Sequence, residues 1–182
     1  MKVEATDLPG VLVVSPNVFA DERGWFLENW RREQYVAHGI GPDFIQANAS
    51  RSSRGVLRGL HYQWPEPQGK LVWVSEGVVF DVAVDIRPSS PTFRQWTAME
   101  LDAESHRQLW IPEGFAHGFQ VLSERATFHY LCTRPYRGEF DSAIAWDDPE
   151  IAVKWPLPPS GLSPKDRAAS PISQLAPDRL PQ

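Results

Sequence analysis

The chain has 182 residues, 42% of them hydrophobic, and a formal charge of −5. That length suits one domain with a sizeable core, and the composition is not that of a disordered chain. The mild acidity argues against a broad nucleic-acid or membrane surface but leaves room for a small basic pocket; the single cysteine, Cys132, excludes an internal disulfide.

In chain order, MKVEATDLPG has no long apolar run behind it, so no signal peptide is expected. No apolar stretch reaches the length of a membrane span, and a cytoplasmic protein is the expectation. GVLVV (10–14) and GWFLENW (24–30) read as strands, and RREQYVAHG (31–39) as the best short helix, with Gly39 its stop. Strand patterns follow at DFIQANA (43–49), GVLRGLHYQ (55–63) and KLVWVSE (70–76). VVFDVAVDIR (78–87) alternates most clearly, with Val78, Phe80, Val82, Val84 and Ile86 on one face and Asp81, Ala83, Asp85 and Arg87 on the other. QWTAMEL (95–101), RQLWIP (107–112), HGFQVL (117–122) and TFHYLCT (127–133) complete the set. The stretch 156–182 holds seven prolines and reads as an irregular segment wrapping the rest and ending in a short helix. Many short strands without βα alternation predict a mainly β fold, an antiparallel sandwich or barrel with a few short helices, in one domain over 1–182.

Arg58 and His61 interrupt an otherwise apolar strand, and buried charge or imidazole requires a partner. In a regular strand the two positions face opposite sides. Either Gly59 marks a bulge, or Arg58 reaches around the strand end. A second histidine lies in IPEGFAHGF, where Pro112, Gly114 and His117 form the Pro-x-Gly-x-x-His pattern familiar from cupin barrels. Metal-binding cupins also carry His-x-His on an earlier strand, where this chain has His61-Tyr62-Gln63, a poor transition-metal site. Phosphate-loop, GxGxxG and CxxC patterns are absent, and Cys132 reads as a core thiol. His61, Lys70 and Tyr130 offer a base, a cation for developing negative charge and a proton donor, while His117 has Asp81 or Asp85 as a partner. Each alone is most simply a core or surface residue; the combination carries the chemistry.

FADERGWFLENW, GVLRGLHYQ, QGKLVWVSEGVVFDVAVDIR, SPTFRQW, RQLWIPEGFAHGF and LSPKD together resemble the dTDP-4-dehydrorhamnose 3,5-epimerase family over about residues 3–170. The resemblance implies a cupin-like antiparallel β-barrel or jelly roll, a homodimer, no metal or cofactor, and a dTDP-4-keto-6-deoxyhexose substrate on the route to dTDP-L-rhamnose. Matched by motif, it makes His61 the general base, Tyr130 the general acid, Asp166 the carboxylate orienting the base and Lys70 the residue near the C4 oxygen. Arg23 and Arg58 become diphosphate contacts, Glu28, Gln46 and Asn48 lie around the nucleotide, and His117, Asp141 and Lys165 are further substrate positions. The sequence departs from the family pattern at Ala47 and Ala49, at Asp141, where many members have Glu, and at Pro135, where an aromatic residue is usual. Neighbouring Tyr136 is the candidate substitute.

The implied chemistry accounts for these residue types. A C4 ketone acidifies the protons on C3 and C5, and inversion needs a base, an opposite acid and a group to hold the enolate. A diphosphate suits arginine. The competing readings are a 3- or 5-mono-epimerase, a ketoisomerase of another deoxysugar route, a non-catalytic nucleotide-sugar-binding cupin and a metal-dependent cupin enzyme.

Overall fold

Alternating apolar and polar residues favour strands over helices, and the computed structural model, which describes residues 1–181, folds them into two antiparallel sheets. Gln182, the last residue of the expected C-terminal wrap, lies outside the described residues. The first sheet has six strands in the spatial order β1 (Lys2–Ala5), β2 (Leu12–Ser15), β10 (Gln108–Ile111), β7 (Lys70–Glu76), β12 (Arg125–Cys132) and β5 (Gln46–Ser53). The second has five, in the order β13 (Asp141–Ala143), β6 (Leu57–Gln63), β11 (Phe115–Val121), β8 (Val78–Asp85) and β9 (Trp96–Asp102). Strands β3 (Val18–Asp21) and β4 (Gly24–Leu27) form a separate hairpin. Helix is confined to α1 (Arg32–Val36), α2 (Pro164–Arg167) and two 3₁₀ turns, so the mainly β, cupin-like expectation holds. Among the described residues no helix is long and apolar enough to cross a membrane.

The inner faces of both sheets meet in one core. Val72, Val74, Leu109 and Phe128 come from the six-stranded sheet, and Val79, Ala83, Phe115 and Phe119 from the five-stranded one. Phe119 and Phe128 stack across the gap with ring centroids 4.1 Å apart. The alternation in β8 is real, but its longer apolar row points the other way. Val82, Val84 and Ile86 face outward and are covered by Ile151, Ile172 and Leu180, with Trp155 and Leu175 alongside. The proline-rich end therefore wraps the five-stranded sheet, as expected, and both faces of β8 are buried. Asp148 fixes this wrap by accepting backbone N–H bonds from Glu150, Ile151 and Ile172 at 2.8, 3.0 and 2.6 Å. A third apolar cluster, around Tyr35, Ile40 and Trp110, seats the α1 segment on the outside of the six-stranded sheet.

Five elements depart from the sequence reading. β1, β3 and β13 are strands that the pattern did not single out, and His117 sits third in β11 instead of opening it. The helix is shorter than 31–39, closing at Val36 before Gly39, which takes φ +77°.

Candidate active site

The interruption in β6 is resolved by a bulge. His61 pairs with His117 and Arg58 with Phe119, so three steps along β6 match two along β11, and Arg58 and His61 come to the same side. Glycine is required there twice over. Gly59 has φ +140°, and a Cβ on it would lie 2.5 Å from Gly118 Cα.

On that side lies a cavity of about 430 Å³ lined by His61 and Gln63 of β6, Lys70 of β7, Tyr130 and Cys132 of β12, and Gln46 and Asn48 of β5. Gln68, Tyr136, Asp141, Ser163 and Lys165 close its rim. Asp166 stands behind His61, 2% exposed, with its Oδ1 2.5 Å from His61 Nε2. The helix that carries it is a single turn capped by the Ser163 hydroxyl, which accepts the Asp166 N–H at 3.1 Å. Burial pushes the Asp166 carboxyl up, but the contacts with His61 and Ser163 prevail and hold it below the usual range. An ionised carboxylate accepts only, so Nε2 carries the proton and Nδ1 is left as the acceptor. Burial lowers the His61 pKa, outweighing the pull of Asp166, so the ring is neutral near pH 7.

Lys70 and Tyr130 are poised rather than paired. Burial pushes the Lys70 pKa down and that of Tyr130 up. Neither the Lys70 ammonium nor the Tyr130 hydroxyl makes a hydrogen bond among the described residues. Gln46 Nε2 donates to Asn48 Oδ1 at 3.1 Å. Lys165 pairs with Asp141, whose Oδ2 also accepts the Tyr136 hydroxyl at 3.0 Å.

The cavity thus gathers His61, Lys70, Tyr130, Gln46, Asn48, Asp141 and Lys165, with Asp166 behind them. Four expected site residues lie elsewhere. Arg58 is just outside the lining and donates to Ser52 Oγ at 3.1 and 3.0 Å. His117 faces the core instead of the cavity; its Nε2 is 2.9 Å from Asp81, which settles its partner. Arg23 sits on the β3–β4 hairpin, its side chain 85% exposed and paired with Asp21. Glu28 lines a separate depression with Asn17, Phe26 and Arg31. Neither Arg23 nor Glu28 lines the cavity of its own chain. Conversely, Gln63, Gln68 and Ser163 were not assigned from sequence, while Tyr136, the candidate substitute for Pro135, does line the cavity. Tyr136, not Pro135, supplies the aromatic wall. Among the described residues, no three His, Cys, Asp or Glu side chains cluster as metal ligands do.

Comparison with known proteins bears on the family. The sequence profile of the dTDP-4-dehydrorhamnose 3,5-epimerase family matches residues 5–174. The dTDP-4-dehydrorhamnose 3,5-epimerase of Pseudomonas aeruginosa is 51% identical over 169 residues, covering 92% of this chain and 93% of that protein. The crystal structure of a dTDP-6-deoxy-D-glucose-3,5-epimerase from Legionella pneumophila, in complex with dTDP-4-keto-L-rhamnose, superposes with a TM-score of 0.97 at 48% identity, covering 100% of this chain and 97% of that one. A 3'-monoepimerase from Streptomyces bikiniensis, in complex with dTDP-quinovose, is more distant, with a TM-score of 0.86 at 32% identity over 92% of this chain and 86% of that one. The chain belongs to the dTDP-4-dehydrorhamnose 3,5-epimerase family.

Proposed function

We propose that this protein inverts C3 and C5 of dTDP-4-dehydro-6-deoxy-D-glucose, giving dTDP-4-dehydro-L-rhamnose, by acid–base enolisation in the cytoplasm. The observation that carries the reading is the His61–Asp166 pair opening onto one cavity with Lys70 and Tyr130. His61 Nδ1 takes the proton from the carbon beside the ketone, and the C–H electron pair moves through the new C=C bond onto the C4 oxygen. Asp166 steadies the imidazolium. The Lys70 ammonium, which has no bonded counter-ion among the described residues, gains its partner as the enolate forms. Tyr130, kept protonated by its raised pKa, returns a proton from the opposite face as the enolate's electron pair closes back onto carbon, then recovers one from solvent while the imidazolium gives its own up to solvent. Gln46, Asn48, Asp141 and Lys165 hold the rest of the substrate. One lysine serves both inversions because both carbons adjoin the same ketone.

Arg23 and Glu28 fit the same reading if the protein is a homodimer. Phe19, Trp25 and Phe26, on the hairpin, are 62%, 61% and 68% exposed, an apolar surface suited to a second copy. In that arrangement Arg23 and Glu28 serve the partner's nucleotide site, while Arg58 reaches the diphosphate of its own.

The test is incubation with dTDP-4-dehydro-6-deoxy-D-glucose in D₂O, with a 4-ketoreductase to trap product, read by NMR. Deuterium at C3 and C5 and an L-rhamno product are expected. Deuterium at one carbon alone makes the protein a mono-epimerase, and none at either removes the epimerase reading.

A further inference from the structure

Tyr136 forms part of the cavity wall, yet it lies on an exposed loop and is itself 56% exposed. A loop that must present a ring in one place needs its backbone tied down. Here the ties are glutamine side chains. Gln68 Nε2 donates to the Arg134 carbonyl at 2.8 Å, and Gln46 Oε1 accepts the Tyr136 N–H at 2.7 Å. Gln63 uses both ends of its amide. Its Nε2 donates to the Pro135 carbonyl at 3.3 Å, and its Oε1 accepts the Arg137 N–H at 2.8 Å. The same Nε2 donates to the Glu66 carbonyl at 2.6 Å, joining the loop after β6 to the loop after β12. Gln63 is 4% exposed at the end of β6, two residues beyond His61 and cross-strand from Asp141, which accepts the Tyr136 hydroxyl.

We propose that Gln63 is a positioning residue for the epimerisation: by bonding the backbone on both sides of Tyr136 it fixes that ring as a wall of the cavity in register with His61. Proline at 135 suits this clamp, because the glutamines take its carbonyl and the N–H groups of Tyr136 and Arg137 and require no N–H at 135. Two carbons must be presented in turn to one base, so a wall that drifts should spoil the geometry of both steps. The proposal rests on the epimerase reading above.

Two experiments test it. In the wild-type protein, hydrogen exchange should find the Arg137 amide protected although it lies in a surface loop; exchange at the rate of a free amide would overturn the clamp, whatever the substrate proves to be. In kinetics with dTDP-4-dehydro-6-deoxy-D-glucose, Gln63→Met keeps the volume and removes all three bonds, and should cost about 10²-fold in kcat/KM. Tyr136→Ala should cost a similar factor, and the double variant little more than either single one, because both remove the same wall. Gln63→Glu, which keeps the acceptor for Arg137 N–H, should fall between wild type and Gln63→Met. Additive losses, or a folded Gln63→Met with wild-type kcat/KM, would overturn the proposal. An inactive wild-type protein would overturn the epimerase reading instead and leave the exchange result standing.

Discussion

At the scale of single residues, the proposed chemistry depends on His61 being neutral and on which nitrogen holds its proton. Its pKa lies below the ordinary 6.5, chiefly through burial. The base form therefore persists to lower pH than in a free imidazole, and activity is lost as pH falls through the depressed value. The acid limb of a kcat/KM–pH profile is expected below pH 6.5; a limb above that would mean that the pull of Asp166 outweighs burial. Asp166→Asn should lower kcat by ~10²–10⁴ and move the limb further down, since the carboxylate is what raises the His61 pKa. An unshifted limb with near-normal kcat would remove Asp166 from its orienting role. His61, Lys70, Tyr130 and Asp166 could be named from sequence because they sit in long ordered motifs. Gln63 could not, because its meaning lies in bonds such as the one to Arg137, 74 residues further on, and Tyr136 was legible only as the neighbour of Pro135. Arg23 and Glu28 were named by motif, yet they stand apart from the cavity of their own chain.

At the scale of elements, period-two alternation identified the strands but not which face is inside. In β8 the carboxylates lie on the side of the main core, where each is fully tied. Asp81 meets His117, and Asp85 meets Arg87, Ser90 and Thr92 at 2.7, 2.6 and 2.7 Å. Burial alone would raise the Asp85 pKa, but these donors bring it down to about 2 from 3.8. Its folded value being depressed, Asp85 contributes about 2 kcal/mol above pH 3.8, lost as pH falls toward 2. Urea unfolding of wild type and Asp85→Asn at pH 7 and pH 3 checks this. The gap between the two proteins should narrow at pH 3, and an equal gap at both would deny the carboxylate its role. β13 escaped the sequence reading because three residues are too few for a period, and β3 because all four of its residues are exposed.

At the scale of the molecule, the hairpin's exposed rings and the displaced Arg23 and Glu28 motivate the homodimer. Analytical ultracentrifugation should find two copies. Mixing Arg23→Ala with His61→Ala chains should restore activity, because an exchanged dimer then has one site bearing both defects and one bearing neither. No recovery despite demonstrated subunit exchange would assign Arg23 to its own chain. The general architecture was readable from short strands and punctuation; the pairing of segments far apart in sequence was not, since no local pattern encodes it. Asp166 illustrates this, reaching His61 across 105 residues from within the wrap. That distance also orders events during synthesis. A ribosome delivers His61, Lys70 and Tyr130 well before the carboxylate proposed to orient the imidazole, so a polypeptide arrested ahead of residue 166 holds the barrel strands with its base unoriented. On the proposed chemistry, catalytic competence is then among the last properties the nascent protein acquires, and turnover serves as a readout that translation has run past residue 166.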